Sequence, residues 1–229
     1  MQSLVAEHLS TLAIGPLPGL LRRMIAQPAL HARFVNTLAH MEFVGVRKML
    51  RARHTRRMDL DGLHHLLEEC SHALRLKRAV HKIAGRDADS VATFAPQHCL
   101  GGGAGDRYLQ QVDRACERVL QDLPETARTE ANYALSSLVI EIRADAFYPI
   151  YEECLREADA PFSVRSILRD EEKHLAEMIE RVHAQIPQAE SRLEEALHLE
   201  GHAYQEWLAT IDAAMRGWLP TEQELETSS

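Results

Sequence analysis

Between Pro161 and Pro187 the chain runs without a proline or a glycine, and this interval limits the fold more than any other. Val164, Ile167, Met178 and Val182 recur in it at intervals that return to one face of an α-helix. Glu171 and His174 fall in register with that apolar line, while Arg169, Asp170, Glu172 and Lys173 mostly point elsewhere. The pattern predicts a helix over 163–182, capped by Ser163, that carries a carboxylate and an imidazole on its buried side. Burying both groups without a partner is costly. A metal ion is the partner that satisfies the two together.

The rest of the chain is helical by the same reasoning. Glycine and proline are scarce (11 and 9 in 229 residues) and clustered, long intervals lack both, and no strand-like alternation or solenoid repeat occurs. The expected fold class is all-α, one helical domain over 1–220 with a flexible tail at 221–229. No apolar stretch is long enough for a membrane span, and the first residues lack the early positive charge of a signal peptide. Cys70, Cys99, Cys116 and Cys154 lie far apart with no Cys-x-x-Cys, which excludes a rubredoxin-type or zinc-ribbon site. They read as free thiols in a reducing cytoplasm, with Cys70 packed.

Taken in order, residues 1–27 hold a short amphipathic piece broken by Gly15-Pro16-Leu17-Pro18-Gly19. A helix over about 28–54 follows, with Val35, Leu38, Glu42, Gly45/Val46 and Met49 inward, so its only acid faces the core. A helix over about 59–84, stopped by Gly85, turns Leu66, Glu69, His72, Leu76, Val80 and Ile83 inward. Residues 85–106 read as a loop, 107–123 as a short helix lying outside the core. A long helix over about 125–158 carries Leu138, Glu141, Asp145 and Tyr148 on one line, with a kink expected at Pro149. The last helix, about 187–217, is acidic outside.

Two units of one kind emerge: a helix with a lone glutamate, a turn, and a helix with Glu-x-x-His. Glu42 precedes Glu69 by 27 residues and Glu141 precedes Glu171 by 30. The midpoint of 42 and 72 is position 57, beside the turn before Asp59. That of 141 and 174 lies beside Asp159-Ala160-Pro161. Side chains at equal distance from a hairpin turn meet across it, so each glutamate is placed to face the histidine of its own unit. The other two Glu-x-x-His pairs, Glu180/His183 and Glu195/His198, lack a lone-glutamate partner and read as surface pairs. His64, His65 and His81 read as solvent-facing or capping residues.

This arrangement resembles the ferritin-like di-iron carboxylate superfamily, in which two helices each give a glutamate and two others each give Glu-x-x-His to the centre of a four-helix bundle. The resemblance covers about 28–185 and implies a ferritin-like four-helix bundle with a long crossover and additional N- and C-terminal helices. It implies Glu42, Glu69, His72, Glu141, Glu171 and His174 as metal ligands and catalytic centre. The implied cofactor is two Fe ions, with Fe/Mn or Mn/Mn as alternatives. Asp145 and Tyr148 are candidates for the surrounding shell, Asp145 to orient a histidine. Leu76 stands where ribonucleotide reductase small subunits carry a radical tyrosine, which argues against radical storage. The competing reading is a bundle with buried ion pairs, Glu69 or Glu171 meeting an arginine such as Arg143.

The expected function is an oxidase or monooxygenase that activates dioxygen and oxidises a small organic substrate in an apolar lining near Leu38, Leu66, Leu138, Phe147 and Ile167. Gly45 and Ala144 leave room for it. Iron oxidation, storage or peroxide detoxification without an organic substrate is the alternative. An interaction protein with a structural metal site is the third. Between Arg22 and Arg57 nine basic residues face one acid, Glu42. The run at 47–57 could hold an anionic substrate, a nucleic acid or an acidic electron-transfer partner, or be a solvated helix face. The chain carries no membrane signal, and a homodimer is compatible with it.

Overall fold

In the computed structural model, residues 1, 4–5, 15–52 and 58–218 are described. Among them are seven α-helices and no strand: α1 (Leu17–Ile25), α2 (Pro28–Ala52), α3 (Leu60–Ala84), α4 (Ala104–Val119), α5 (Glu125–Glu157), α6 (Arg165–Gln185) and α7 (Ala189–Arg216). No helix is long and apolar enough to cross a membrane. The tail at 221–229 and the turn near 57 lie outside the described residues.

α2 and α3 pack as one hairpin and α5 and α6 as another. Contacts of α2 with α5 and of α3 with α6 close the four into a bundle. α4 and α7 form a third pair that lies on the α2/α5 side. α4 thus packs against the four-helix core, with Tyr108, Val112, Ala115 and Cys116 buried beneath it. It starts at Ala104 and ends at Val119, earlier at both ends than the 107–123 expected.

Local chemistry explains the helix ends. The Asp59 side chain accepts a hydrogen bond from the Gly62 amide at 2.8 Å and caps α3; Gly85 ends it at φ +55°. α6 begins at Arg165, whose amide donates to the Ser163 hydroxyl at 3.2 Å, and a carboxylate from α5 reaches the same helix start. Glu152 accepts from the Val164 amide at 2.8 Å and from the Ser163 hydroxyl at 2.9 Å. Pro149 does not break α5, which continues through it to Glu157. The proline is exposed, on the side where water can satisfy the carbonyl it leaves without a donor.

The segment read as a loop is a pinned crossover containing 3₁₀ turns at Gly85–Val91 and Pro96–His98. Buried Asn36 on α2 holds it, donating to the carbonyls of Thr93 at 2.8 Å and His98 at 2.9 Å. Lys77 on α3 donates to the carbonyl of Val91 at 2.7 Å. Gly101 and Gly102, at φ +73° and +60°, make the left-handed turn that delivers the chain into α4.

His31 on α2 offers a test of the packing below the site. It is buried, 2.7 Å from the Tyr151 hydroxyl, and burial lowers its pKa from 6.5 to about 4. The unfolded chain takes up this proton below pH 6.5 and the fold does not. The stabilisation is thus complete above pH 6.5 and is lost as pH falls towards 4, by up to about 3 kcal/mol. Unfolding free energies of wild type and His31→Gln, compared across pH 4–7, should converge in acid. Parallel curves would show that His31 titrates normally.

Candidate metal centre

Each bundle helix brings acid or imidazole to one level. α2 brings Glu42, α5 brings Glu141, and α6 brings Glu171 and His174, one turn apart on its buried line. α3 brings three groups, His65, Glu69 and His72, spaced four and three residues and therefore on one face. Glu69, His72, Glu141, Glu171 and His174 are buried, and the Glu42 side chain is 13% exposed.

His65 corrects the expectation that it faces solvent or caps α3. It is 5% exposed, and its ring stacks on that of His174 with centroids 3.9 Å apart. Its Nε2 lies 3.3 Å from Glu69 Oε1 and 3.8 Å from Glu141 Oε1. His64 and His81 are exposed. The line 65-69-72-76 carries the signal for His65, one residue before Leu66, which is only half-buried.

The seven side chains form two groups of donor atoms, His65, Glu69, Glu141 and His174 in one and Glu42, Glu69, His72 and Glu171 in the other. Within each group the atoms lie within 4.8 Å of one another. Glu69 belongs to both. The Nδ1 atoms of His72 and His174 are buried without a hydrogen-bond partner. That of His72 is 3.0 Å from Glu171 Oε1 but out of alignment, and that of His174 is 3.5 Å from Glu69 Oε1. Unpartnered imidazole nitrogens facing carboxylates are what a bound cation would satisfy, so the donor set fits a pair of metal ions.

The opposite nitrogen of each ring is held from across the bundle. His72 Nε2, on α3, is 3.2 Å from Asp170 of α6, which also accepts from Arg75 at 3.1 Å. His174 Nε2, on α6, is 2.9 Å from Glu68 of α3. Each partner is the acid immediately before the paired glutamate, so the working motif is acid-Glu-x-x-His, twice. Such contacts fix the tautomer and leave Nδ1 free for a metal. Asp145 makes no hydrogen bond to either histidine among the described residues. Tyr148 is buried and donates to Glu42. Glu68→Gln should cost about 10–100-fold in metal affinity while two ions still bind at saturation, as measured by chelator competition. Unchanged affinity would remove Glu68 from this role.

The electrostatics suit cations. Burial pushes the Glu42 and Glu141 carboxyls well above their usual range, and the charge of neighbouring carboxylates adds to it. Burial and Glu171 raise Glu69 to about 7. Glu171 moves the other way, because contacts with Glu141, His174 and His72 outweigh its burial. Burial opposes charge on His72 and His174, yet the surrounding carboxylates, Glu171 foremost, raise both to about 9. Divalent ions would displace the protons that now balance this cluster.

Ion pairing elsewhere does not compete for the site. Arg143 meets neither Glu69 nor Glu171. It holds buried Glu200 of α7 through two contacts of 2.8 and 2.6 Å, and Tyr108 donates to the same carboxylate at 2.7 Å. Glu180, His183, Glu195 and His198 are exposed, as is Cys70, which is therefore not packed; all four cysteines are free thiols. Buried Leu76 occupies the position one turn after His72.

A cavity of about 480 Å³ opens onto the cluster between α2, α5, α4 and α7, reaching Glu42, His65, Glu69, Glu141 and Glu171. Leu38, Met41, Ile140, Phe147 and Trp207 give it apolar walls, and Gly45 and Ala144 line it. Leu66, Leu138 and Ile167, expected in the lining, are not part of it; Leu138 and Ile167 are buried in the core instead. Of the basic run, Arg47, Lys48 and Arg51 border the cavity, and 53–57 lie outside the described residues. In comparisons with known proteins, no family model, curated protein or solved structure matches the chain.

Proposed function

We propose that the chain is a ferritin-like di-iron (or Fe/Mn) oxidase or monooxygenase that activates dioxygen and oxidises a small organic molecule. The observation that carries this reading is the pair of buried Nδ1 atoms of His72 and His174, which lack a hydrogen-bond partner while carboxylates approach them at 3.0 and 3.5 Å, set among four carboxylates. His65, Glu69, Glu141 and His174 would hold one ion, and Glu42, Glu69, His72 and Glu171 the other, with Glu69 shared. A redox-active pair of ions, when bound, supplies two of the four electrons that reduce dioxygen to water; the organic molecule or an external donor supplies the rest.

The protein's own part is to orient and to exclude water. Asp170 and Glu68 hold the imidazoles, Tyr148 holds a proton against Glu42, and the apolar walls keep a substrate close to the cluster. The cavity favours this reading over iron storage, which needs no apolar chamber beside its ligands. The test is reconstitution with ferrous iron under anaerobic conditions, then single-turnover oxidation with and without candidate apolar compounds. Two ions per chain and a compound-dependent rate or product are expected. Mineralised iron accumulating well beyond two ions, with no compound effect, would establish storage; one ion or none would remove the di-iron reading.

A further inference from the structure

We propose that the cavity takes an apolar molecule bearing one carboxylate, with the carboxylate at Arg47 and Arg51 and the apolar body directed towards Glu42 and Glu141. This names a substrate class for the function proposed above and rests on that reading for its chemistry, though not for its binding. The direction follows from the walls. On α2 the cavity is bordered in turn by Glu42, Gly45, Lys48 and Arg51, and on α5 by Glu141, Ser137, Tyr133 and Thr129. Both walls pass the carboxylates of the candidate metal centre, continue beyond them at Leu38, Met41, Ala144 and Phe147, and in the other direction run to the α4 side near Asp113 and Asn132. From Glu42 to Arg51 the helix rises about 13 Å.

Charge decides which end of a ligand goes where. Four carboxylates crowd the part of the cavity beside the metal centre, so an anionic group is disfavoured there before metal binds. At the outer end, Lys48 is committed to Asp113 at 2.6 Å, which also accepts from Asn132 at 3.0 Å. The other acid on the wall, Asp106, lies 3.8 Å from His40. Arg47 and Arg51 are exposed and, among the described residues, pair with no carboxylate. They stand one helical turn apart, a spacing at which two guanidinium groups can share one carboxylate. Between Arg51 and the carboxylates of the metal centre, Val44 and Ile140 give apolar wall beside the polar Ser137 and Tyr133, and the span accommodates a chain of about ten carbon atoms or an aryl ring on a short alkyl arm.

The chain's two tryptophans allow a direct test. Trp207 lines the cavity, and Trp218→Phe makes it the single reporter. Its emission is followed during titration with decanoate, 5-phenylpentanoate, 1-decanol and decylamine, on protein as purified and after metal removal by a chelator. The carboxylates should bind at least about tenfold tighter than 1-decanol and decylamine no tighter than 1-decanol; whichever carboxylate binds tighter distinguishes an alkyl from an aryl body. Arg47→Gln with Arg51→Gln should bring decanoate to the level of 1-decanol and leave 1-decanol unchanged, whereas the double lysine variant should keep part of the preference. Equal affinity for decanoate and 1-decanol, a preference for decylamine, or a carboxylate preference that survives the double glutamine change would each overturn the proposal. Carboxylate binding by a protein that takes up no metal would leave this proposal standing and remove the di-iron function. Two bound ions without carboxylate preference would do the reverse.

Discussion

Replacing His65 by alanine is expected to lower metal content from two ions per chain to one. His65 contributes to only one of the two donor groups, and its loss leaves Glu69, Glu141 and His174 to hold that ion. Losing a donor should cost more than the about 10–100-fold typical of an outer hydrogen-bonding partner. Glu69→Ala should be more severe, because Glu69 serves both groups, and content should fall towards zero. His64→Ala, beside it and exposed, should retain two ions. Metal analysis after anaerobic reconstitution reads all three, with thermal unfolding to show that each variant folds. Two tightly held ions in His65→Ala would mean that the stacked imidazole is packing and not a ligand.

Filling the cavity should separate binding of metal from turnover, and the choice of position matters. Gly45 is the obvious candidate, yet a Cβ there would lie 3.4 Å from Glu69 Oε2. Leucine at 45 would press on the shared carboxylate, so Gly45→Leu should lose both metal and turnover. Ala144 lines the same cavity one turn after Glu141. Ala144→Leu should keep two ions per chain and lower kcat/KM for the organic substrate at least about 100-fold, since productive placement beside the centre is lost. Overpacking at such a site costs about 1–3 kcal/mol, so stability is measured in parallel. Wild-type turnover in Ala144→Leu would place the substrate somewhere other than this cavity.

Helix content was legible because its causes are local. Proline and glycine mark where hydrogen-bonded turns stop, and Asp59 and Gly85 act on neighbours within one turn. The apolar lines through Glu42, Glu69 and Glu171 were legible for a related reason: a buried acid on a helix stands out against the leucines and valines around it. Ser163 accepts from the Arg165 amide at 3.2 Å, as a local reading expects. What a local reading misses is Glu152, on the preceding helix, which accepts from Ser163 and Val164 at the same helix start, and that depends on how two helices meet.

The finer parts of the site depended on the same meeting of helices. His64 and His65 are adjacent and differ by 100° around α3, so only the packing of α3 against α6 decided that His65 enters the cluster and stacks on His174. Asp170 reads as an outward charge on its own helix, and nothing in the sequence singles out Glu68; each finds its histidine on the other helix, 98 and 106 residues away in the chain. Arg143 was free to meet any buried acid until α7 placed Glu200 against it. The cavity belongs to no single helix, being the space left where α4 and α7 lie over α2 and α5. By itself the sequence determined the helices and which of their faces carry acid and imidazole, because those follow from contacts within a few residues. The tertiary structure decided which charges pair, which histidine joins the cluster and where a ligand fits, because burial and Coulomb energy depend on distances between residues far apart in the chain.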